Sequence, residues 1–472
     1  MAGYKKLGKD VLLMTIGSFG SKLLNFVFVP FYTAILTTEE YGVADLVSTT
    51  VTLLFPFFSL IICEGMMRFA LDKENDPKDV YAIGIKITLI GTLIFFLLSP
   101  IIFLTPLKDY YWFVILYYVT YSIQHAISYF VRGIDKTKVF AIGGIVQTLI
   151  VVVTGILFLI PFKMGIFGYL LSHVLGSVAS ILYMLVASKI YQYGFSLRAT
   201  NKPLQKKMLA YSLPMIPNSA SWWLANAATK FFLIAFIDTA ANGIFSVANK
   251  VPHIMTTMTS IFGRAWKINC VDEFGSERSK KFFEDAFAKL TSMIIIIVSL
   301  MLVLNKPIAH ILFSKDFYQA WQFVPLLLFS TAMHACAEFY GSIYTASYKT
   351  KFLVISTGIG AGLNVLLNFL LVPVMGIMGG AISVACAQMF IFLARMIHSR
   401  GIMKMAINWK RDIACYAVLG IQIFIAAHSY SGEYIYSLIC CLIIFAILHK
   451  ELKQMVQMVL GSFIKKMKRK TS

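Results

Sequence analysis

The sequence predicts an all-α integral membrane protein. Hydrophobic residues make up 58% of the 472 residues and charged residues only 14%, whereas about a quarter of the residues in a soluble protein are charged. Apolar runs such as 80–104, 139–160 and 352–374 reach the ~20 residues that a helix needs to span ~30 Å of hydrocarbon. Such runs recur from near residue 10 to near residue 449, which leaves no room for a soluble domain.

About fourteen transmembrane helices are predicted, at 10–36, 41–67, 80–104, 110–131, 139–160, 166–188, 208–236, 242–263, 284–304, 320–343, 352–374, 378–394, 412–428 and 434–449. With the N-terminus inside, the cytoplasmic gaps and both tails hold 33 of the 42 Lys and Arg, and the outer gaps hold four. This asymmetry follows the positive-inside rule and predicts that both termini are cytoplasmic. The net charge of +20 then faces the anionic inner leaflet, so nucleic acid is not expected as a partner.

The sequence predicts neither a cleaved signal peptide nor a disulfide or metal site built from cysteines. The first apolar segment runs past signal-peptide length and has no small-residue cleavage site, so it is predicted to be a retained span. The seven cysteines have neither disulfide nor metal-ligand spacing, and all but Cys270 lie within predicted spans. They are interpreted as small packing residues. No metal or other cofactor is therefore predicted.

Two pairs of similar segments indicate an internal repeat. Residues 159–168 read LIPFKMGIFG and residues 371–379 read LVPVMGIMG, and each segment joins two spans on the outer side. A weaker similarity links TTEEYGVADLV at 37–47 to DTAANGIFSVA at 238–248. Both pairs are displaced by six spans, an even number, so the halves have the same membrane orientation. This predicts two six-helix bundles related by a pseudo-twofold axis along the membrane normal.

The repeat also predicts the domain boundaries. Residues 1–200 form the N-terminal six-helix bundle, residues 201–400 form the C-terminal bundle, and residues 401–472 add two transmembrane helices and a basic cytoplasmic tail. The charged segment 189–207, which contains Pro203, is interpreted as the linker between the bundles. On the outer side, residues 305–320 are predicted to contain a short interfacial helix.

Polar side chains recur every three or four residues on spans one, two, seven and eight, and therefore share one face of each helix. Polar groups inside a bilayer need a polar lumen or a partner. We therefore expect the four faces to line a water-filled cavity between the two halves. The predicted polar lining comprises Ser18, Asn25, Asp45, Thr49, Thr52, Asn218, Trp222, Asn226, Ser246, His253 and Thr257.

Three lysines, Lys22, Lys230 and Lys250, lie well inside these spans without a carboxylate at helical spacing. A charge at mid-bilayer costs at least ~2.5–3.5 kcal/mol on insertion scales. Three cations in one cavity favour an anionic substrate, for which phosphate is the natural candidate. Asp45, near the outer end of span two, could approach Lys230 or Lys250 in the fold. The alternative interpretation is that each lysine snorkels or forms a structural pair.

Several other charged residues lie within about two turns of the cytoplasmic face. Glu64, Arg68 and Glu338 are candidates for coupling to an ion gradient or for a gate. The alternative is that they snorkel or form pairs at the rim. The isolated histidines His125, His173, His334 and His428 are interpreted as packing or hydrogen-bonded residues.

The segments SFGSKLLNFVFVPFYTAILTTEEYGVADL, YSLPMIPNSASWWLANAATKFFL, ANGIFSVANKVPHI and IFGRAWKI carry a resemblance to a known family. The first resembles the first two spans of bacterial polysaccharide-repeat-unit flippases of the Wzx type, and the others resemble the second half. These flippases belong to the multidrug/oligosaccharidyl-lipid/polysaccharide exporter superfamily. The resemblance covers nearly the whole chain. In these relatives the stretch matching 226–231 commonly carries an Asp–Arg pair, where this chain has Thr229 and Lys230.

The resemblance implies a transporter in the bacterial plasma membrane rather than an enzyme. Its substrate is an undecaprenyl-diphosphate-linked oligosaccharide, moved from the cytoplasmic to the outer leaflet for an O-antigen, a capsule or another surface polysaccharide. The diphosphate would meet Lys22, Lys230 and Lys250, and rocking of the halves would give alternating access. The protein is expected to act as a monomer among membrane lipids, with polysaccharide polymerase and glycosyltransferases as candidate partners.

Two other functions stay open. A multidrug exporter of the same fold would need an acidic or aromatic pocket for cationic drugs, and mid-membrane carboxylates are nearly absent. A membrane-bound polysaccharide polymerase or acyltransferase would be expected to have a substantial outer loop or a compact set of catalytic Asp, His and Glu residues. The longest outer loop has about fifteen residues and no such set. The flippase is therefore favoured.

Overall fold

The computed structural model describes residues 26–72, 74–193, 201–275, 279–347, 349–428, 432–453 and 457. Helices account for 88% of the structure, and no strand occurs in the ranges described. Six described helices are long and apolar enough to cross a membrane, or seven if Lys315–Gln322 and Val324–Ala346, which meet at a bend of 53°, form one span. The all-α class and the multi-span membrane character are therefore confirmed. The count of fourteen spans and the twofold axis stay predictions.

The first of two compact units comprises Met1–Ile234 and Asp238–Ser246. Its described helices are α1 (Val29–Ile35), α2 (Thr38–Ser59), α3 (Ile62–Ala70), α4 (Pro77–Leu98), α5 (Tyr111–Gly133), α6 (Thr137–Leu159), α7 (Gly165–Ser188), α8 (Lys202–Ser212) and most of α9 (Met215–Phe236) and α10 (Thr239–Ala248). Short 3₁₀ helices follow α4 at Ser99–Leu104 and α7 at Ile190–Tyr193.

The second unit comprises Ala235–Ile237 and Val247–Ser472. Its described helices are α11 (Lys250–Glu273), α12 (Ser279–Val303), α13 (Asn305–Leu312), α14 (Val324–Ala346), α15 (Lys351–Ser399), α16 (Trp409–Ala427) and α17 (Glu433–Ile447). Helix α13 and the 3₁₀ helix Lys315–Gln322 form the helical segment expected at 305–320.

Three of the predicted spans are interrupted rather than continuous. Span two breaks at Leu60 and Ile61, two consecutive residues with φ of 52° and 50°. Left-handed backbone is costly for residues with a Cβ, so packing around this break must hold it. Span seven is divided between α8 and α9, and span eight between α10 and α11 at Asn249. Helix α8 begins inside the predicted linker, capped by Asn201, whose side chain accepts from the Leu204 N–H.

The similar segments 159–168 and 371–379 each place a glycine at positive φ. Gly165 has a φ of 51°, and Gly376, at the matching position, has a φ of 60°. Gly376 divides the long α15 into two helices, which correspond to spans eleven and twelve. A Cβ on Gly379 would overlap the Leu371 carbonyl oxygen, so the returning helix needs glycine there. What the two similar segments share is therefore a glycine at positive φ, a conformation that favours glycine.

The second pair of similar segments forms a close crossing within the first unit. Helices α2 and α10 both begin at a capped turn: Thr37 accepts from the Glu40 N–H at 3.1 Å, and Asp238 accepts from the Ala241 N–H at 2.7 Å. A Cβ on Gly42 would overlap the Thr239 carbonyl oxygen, and a Cβ on Gly243 would overlap the Thr38 carbonyl oxygen. The two helices can therefore approach this closely only because both positions are glycine.

Polar contacts attach the last two helices to the rest of the second unit. Gln422 of α16 is fully buried, accepts a hydrogen bond from the Ser299 hydroxyl at 2.8 Å and donates to the Ser437 carbonyl at 3.1 Å. Lys306 of α13 pairs with Glu433 of α17 at 2.6 Å, and its ammonium lies 4.2 Å from the centroid of the Trp321 ring. A buried polar group is costly unless it is paired, so these contacts fix α16 and α17 to α12 and α13.

Large apolar side chains point outward on many helices. They include Leu97, Val186, Phe369, Val374, Ile421 and Ile435, each more than half exposed. Soluble monomers rarely present apolar surface of this extent, whereas a helix in hydrocarbon presents apolar side chains to lipid. The outward faces thus fit a lipid environment, and the polar side chains of interest lie on the inward faces.

Candidate functional site

The N-terminal end of α2 is held in place by Glu40. Its carboxylate accepts from the Thr37 N–H at 2.9 Å and completes a capping box with the Thr37 hydroxyl. The other carboxylate oxygen accepts from the Ile166 N–H at 3.3 Å, at the start of α7. Negative charge is favourable at both helix N-termini because their first N–H groups lack helical partners. Glu40 therefore fixes the position of the turns that precede Asp45.

Asp45 and Lys230 form an ion pair inside the first unit. The Lys230 ammonium lies 2.8 Å from one Asp45 carboxylate oxygen and 2.9 Å from the other. It also donates to the Thr49 hydroxyl at 3.3 Å, and that hydroxyl donates to Asp45 at 3.4 Å. The approach of Asp45 to Lys230 that the sequence suggested is therefore present.

Asn242 of α10 completes this cluster and was not among the residues predicted from the sequence. Its side-chain amide donates to the Gly42 carbonyl at 2.9 Å and to Asp45 at 3.4 Å, and the residue is fully buried. Its oxygen accepts from the Ser246 hydroxyl at 3.5 Å. The available signal was its spacing, since Asn242 lies one turn before Ser246 on the polar face of span eight. We call Asp45, Thr49, Lys230 and Asn242 the charged cluster.

The ion pair of the charged cluster is only partly buried. The Lys230 and Asp45 side chains are 21% and 16% exposed, so a mobile anion or water can reach them. A fully buried pair that loses one partner costs about 3–5 kcal/mol, and a solvent-exposed pair contributes at most about 1 kcal/mol. The pair here lies between these limits. It joins α2 to α9 and stays partly accessible.

The remaining lining residues with described side chains have local contacts. The Thr52 hydroxyl donates to the Thr49 carbonyl at 2.9 Å. Lys250 and His253 lie on the first turn of α11, and the Thr257 hydroxyl donates to the His253 carbonyl at 2.9 Å. These three residues belong to the second unit. The predicted site residues Ser18, Lys22 and Asn25, and the side chains of Asn218, Trp222 and Asn226, lie outside the described residues.

Glu64 and Arg68 lie one turn apart on α3, beyond the break in span two. Arg68 is exposed and Glu64 is half-buried, beside the hydroxyl of Tyr129 on α5. The structure therefore brings Glu64 to an aromatic residue rather than into the charged cluster.

Glu338 of α14 lies in the second unit beside a cavity. Its carboxylate is 3.7 Å from the Arg395 guanidinium, which also donates to the Ala337 carbonyl, the Ser356 hydroxyl and the Thr357 hydroxyl. The adjacent cavity of about 260 Å³ is lined in part by Thr256, Ser260, Trp266, His334 and Glu338. His334 contacts Gln388 at 3.3 Å, as expected for a hydrogen-bonded histidine. Glu338 thus has the structural partner that the alternative interpretation allowed.

A known protein family matches the N-terminal part of the chain. Residues 7–266, more than half of the chain, match the family described as polysaccharide biosynthesis protein. No curated protein sequence matches.

Solved structures give the fold. The chain resembles the lipid II flippase MurJ in an inward closed conformation, with a TM-score of 0.62 and 14% identity over 93% of this chain and 99% of that one. It also resembles an inward-facing multidrug resistance MATE family transporter, with a TM-score of 0.65 and 14% identity over 86% and 99% of the two chains. A third similar structure is a MOP superfamily transporter from Pyrococcus furiosus, described as having a binding pocket of reverse polarity, with a TM-score of 0.58, 15% identity and coverage of 86% and 95%.

Identities this low establish the fold alone, because one fold supports many functions. The matched family is independent of that likeness and spans α1 to α11, including the charged cluster. The two findings agree with the resemblance in the sequence: the fold is that of MOP superfamily transporters, and the chain belongs to the polysaccharide biosynthesis protein family.

Proposed function

We propose that this protein moves an undecaprenyl-diphosphate-linked oligosaccharide from the cytoplasmic to the outer leaflet by alternating access. The observation that carries the proposal is the Lys230 ammonium, which is held within a membrane span by Asp45 and Thr49 and stays partly exposed. Placing a cation within a membrane span costs free energy. An ion pair with a purely structural role would be expected to be more completely buried than this one. Membership of a polysaccharide biosynthesis family makes a diphosphate-linked glycan the natural anionic substrate.

The ion pair suggests how a diphosphate is bound and released. Without substrate, Asp45 neutralises Lys230. An arriving diphosphate replaces Asp45 as the partner of the ammonium, because charge-assisted hydrogen bonds to phosphate are strong. When the substrate leaves, Asp45 pairs with Lys230 again, which lowers the free-energy cost of keeping this lysine within the membrane span. Lys22 and Lys250 are proposed to hold the same diphosphate.

The departure from the Asp–Arg pair of the relatives supports this assignment. Thr229 stands where those flippases commonly have Asp, and it is fully buried. Asp45 on α2 supplies a carboxylate to Lys230 from another helix. This chain has no acidic residue at position 229, and Asp45 on the neighbouring helix instead neutralises the charge of Lys230.

The proposed membrane arrangement has fourteen spans in a bacterial plasma membrane, with both termini in the cytoplasm. The distribution of Lys and Arg supports the orientation. The matching positive φ of Gly165 and Gly376 and the crossing of Gly42 and Gly243 support two bundles related by a pseudo-twofold axis. Partners on the biosynthetic route would be glycosyltransferases on the inner side and a polymerase on the outer side, with the protein itself a monomer.

A multidrug exporter is the main competing function. The similar MATE structures carry no argument for it beyond the fold. A cationic drug would need a free carboxylate, whereas Asp45 is already paired with Lys230. Replacing Lys230 with a neutral residue should therefore increase the transport activity of an exporter of cationic drugs. The same replacement should decrease the transport activity of a flippase that binds a diphosphate.

The test uses cells in which the gene is replaced by variants. Loss of the protein should leave lipid-linked oligosaccharide on the cytoplasmic side of the membrane. Lys230→Gln should impair export at normal protein abundance by immunoblot, and Lys230→Arg should retain more export because it keeps the charge. Accumulated lipid-linked oligosaccharide is the measurement. Full export by Lys230→Gln, or drug resistance that rises with it, would refute the proposal.

A further inference from the structure

Helix α5 carries four polar aromatic rings at intervals of one turn, Tyr117, Tyr121, His125 and Tyr129, which we call the aromatic row. Successive ring centroids are 6.3, 4.1 and 6.2 Å apart, with interplanar angles of 27°, 32° and 24°. Twelve residues of helix extend about 18 Å, more than half of the ~30 Å hydrocarbon core. The row therefore follows most of the depth of the membrane.

The aromatic row lies on a different face of α5 from the lipid-facing residues. Trp112 and Leu116 are 65% and 45% exposed, as expected against lipid. The four residues of the row are half-buried, and Phe55 of α2 packs edge-on against Tyr121 at 5.3 Å. The row therefore faces the inside of the first unit, where its rings pack against the core and stay partly accessible.

The row continues toward each side of the membrane. On the outer side, Tyr117 is 6.5 Å from the His173 ring of α7, and His173 is 4.7 Å from Tyr169. Tyr169 in turn contacts Tyr32 at 4.9 Å. On the cytoplasmic side, the Arg132 guanidinium lies 5.4 Å from the Tyr129 centroid. An almost unbroken series of polar rings thus runs from one end of the bundle toward the other.

The composition of the row selects one kind of ligand. Phenol and imidazole rings combine an apolar face with a polar edge, which matches a sugar ring with its apolar C–H face and its hydroxyl groups. The row itself has no lysine or arginine, so it does not suit a diphosphate. Its hydroxyls and ring nitrogens also make it a poor surface for a hydrocarbon tail, which Leu, Ile and Phe would line.

The spacing of the row also suits movement. A ligand that must pass through a site needs several weak positions rather than one strong one, because it has to leave as readily as it enters. Four similar rings about 4–6 Å apart provide such a series. By contrast Tyr118, the next residue after Tyr117, is fully buried and stacks on Phe95 at 3.9 Å, as a packing ring does.

We infer that the aromatic row is a saccharide-binding surface, along which the glycan passes while the charged cluster holds the diphosphate. The inference rests on the proposed function and adds to it a second, separate binding surface on α5. It therefore separates the recognition of the glycan from the recognition of the lipid diphosphate. Each should respond to its own set of substitutions.

The test measures binding of two lipids to the full chain in nanodiscs. One is undecaprenyl diphosphate without sugar, and the other is the glycan-bearing lipid extracted from cells that lack this gene. The wild-type protein should bind the glycan-bearing lipid more tightly by about tenfold or more. The double variant Tyr117→Leu/Tyr121→Leu should remove that preference and leave the affinity for the sugar-free lipid unchanged. Tyr121→Phe should keep most of the preference for the glycan-bearing lipid. Trp112→Leu, on the lipid-facing side, should keep all of that preference.

An unchanged preference in the double variant would overturn the inference, as would an equal loss of affinity for both lipids. A wild-type protein that binds neither lipid would instead refute the proposed function. If the double variant fails to fold, a photoreactive phenylalanine analogue at position 121 keeps a ring there. It should crosslink to the glycan-bearing lipid and not to the sugar-free one, and equal crosslinking to both would contradict the inference.

Discussion

The Lys230 ammonium lies 2.8 Å from the Asp45 carboxylate and joins α9 to α2 in the first unit. Because both side chains are partly exposed, we expect Asp45→Asn to destabilise the protein by more than the ~1 kcal/mol of a surface pair and less than the ~3–5 kcal/mol of a fully buried one. The exchanged variant Asp45→Lys/Lys230→Asp should recover much of that stability. Thermal unfolding of the detergent-purified protein is the measurement.

The matched control for the ion pair is Lys163→Gln, which removes an exposed lysine in the turn between α6 and α7 and should leave the unfolding temperature unchanged. If the exchanged variant is no more stable than Asp45→Asn, the two residues do not act as a pair. Export gives a second measurement, since the exchanged variant moves the cation and should stay impaired even where it is stable.

The close crossing of α2 and α10 predicts an effect of adding a single methyl group. A Cβ on Gly42 or Gly243 would overlap a carbonyl oxygen of the facing helix, so Gly42→Ala and Gly243→Ala should each cost about 1–3 kcal/mol through overpacking. A Cβ on Gly144 of α6 would meet nothing within 4 Å, and Gly144→Ala should be neutral or slightly stabilising. Equal unfolding temperatures for all three variants would contradict the crossing.

Much of the fold could be predicted from the sequence because hydrocarbon imposes simple rules. Apolar runs of spanning length and the bias of Lys and Arg led to the all-α, multi-span class. The similarity of 159–168 and 371–379 indicated an internal repeat, and Gly165 and Gly376 at the matching positions both have positive φ, 51° and 60°. The breaks at Leu60–Ile61 and Asn249 were not predicted, because neither has a proline or glycine and their conformations depend on packing around them.

Only part of the site could be predicted from the sequence, because helical spacing describes one helix at a time. Helical spacing selects residues on one face of one helix, and it indicated Asp45, Thr49 and Lys230 separately. It does not decide which helices meet, so the pairing of Asp45 with Lys230 required the fold. Asn242 was missed although its spacing fits, because an asparagine near a helix start is also a common turn residue. The aromatic row was missed because the polar faces selected by helical spacing lie on spans one, two, seven and eight, whereas α5 corresponds to the fourth predicted span.

The orientation of the chain can be tested independently of its function. Because the predicted cytoplasmic segments hold 33 Lys and Arg and the outer ones four, reporter fusions at Lys163 and Lys315 should read as outside the cell. Fusions at Lys136, Lys202 and Lys470 should read as cytoplasmic. Inverted readings at two of these positions would refute the topology, and with it the direction of transport.

The central claim is that intramembrane lysines bind the diphosphate of a lipid-linked glycan during transport. The most direct measurement is the movement of a fluorescently labelled undecaprenyl-diphosphate oligosaccharide across vesicles that contain the purified protein, followed by loss of signal to a membrane-impermeant quencher. Wild-type protein should move the lipid, and the triple variant Lys22→Gln/Lys230→Gln/Lys250→Gln should reduce movement to the rate of protein-free vesicles. Movement at the wild-type rate by a correctly inserted triple variant would contradict the account.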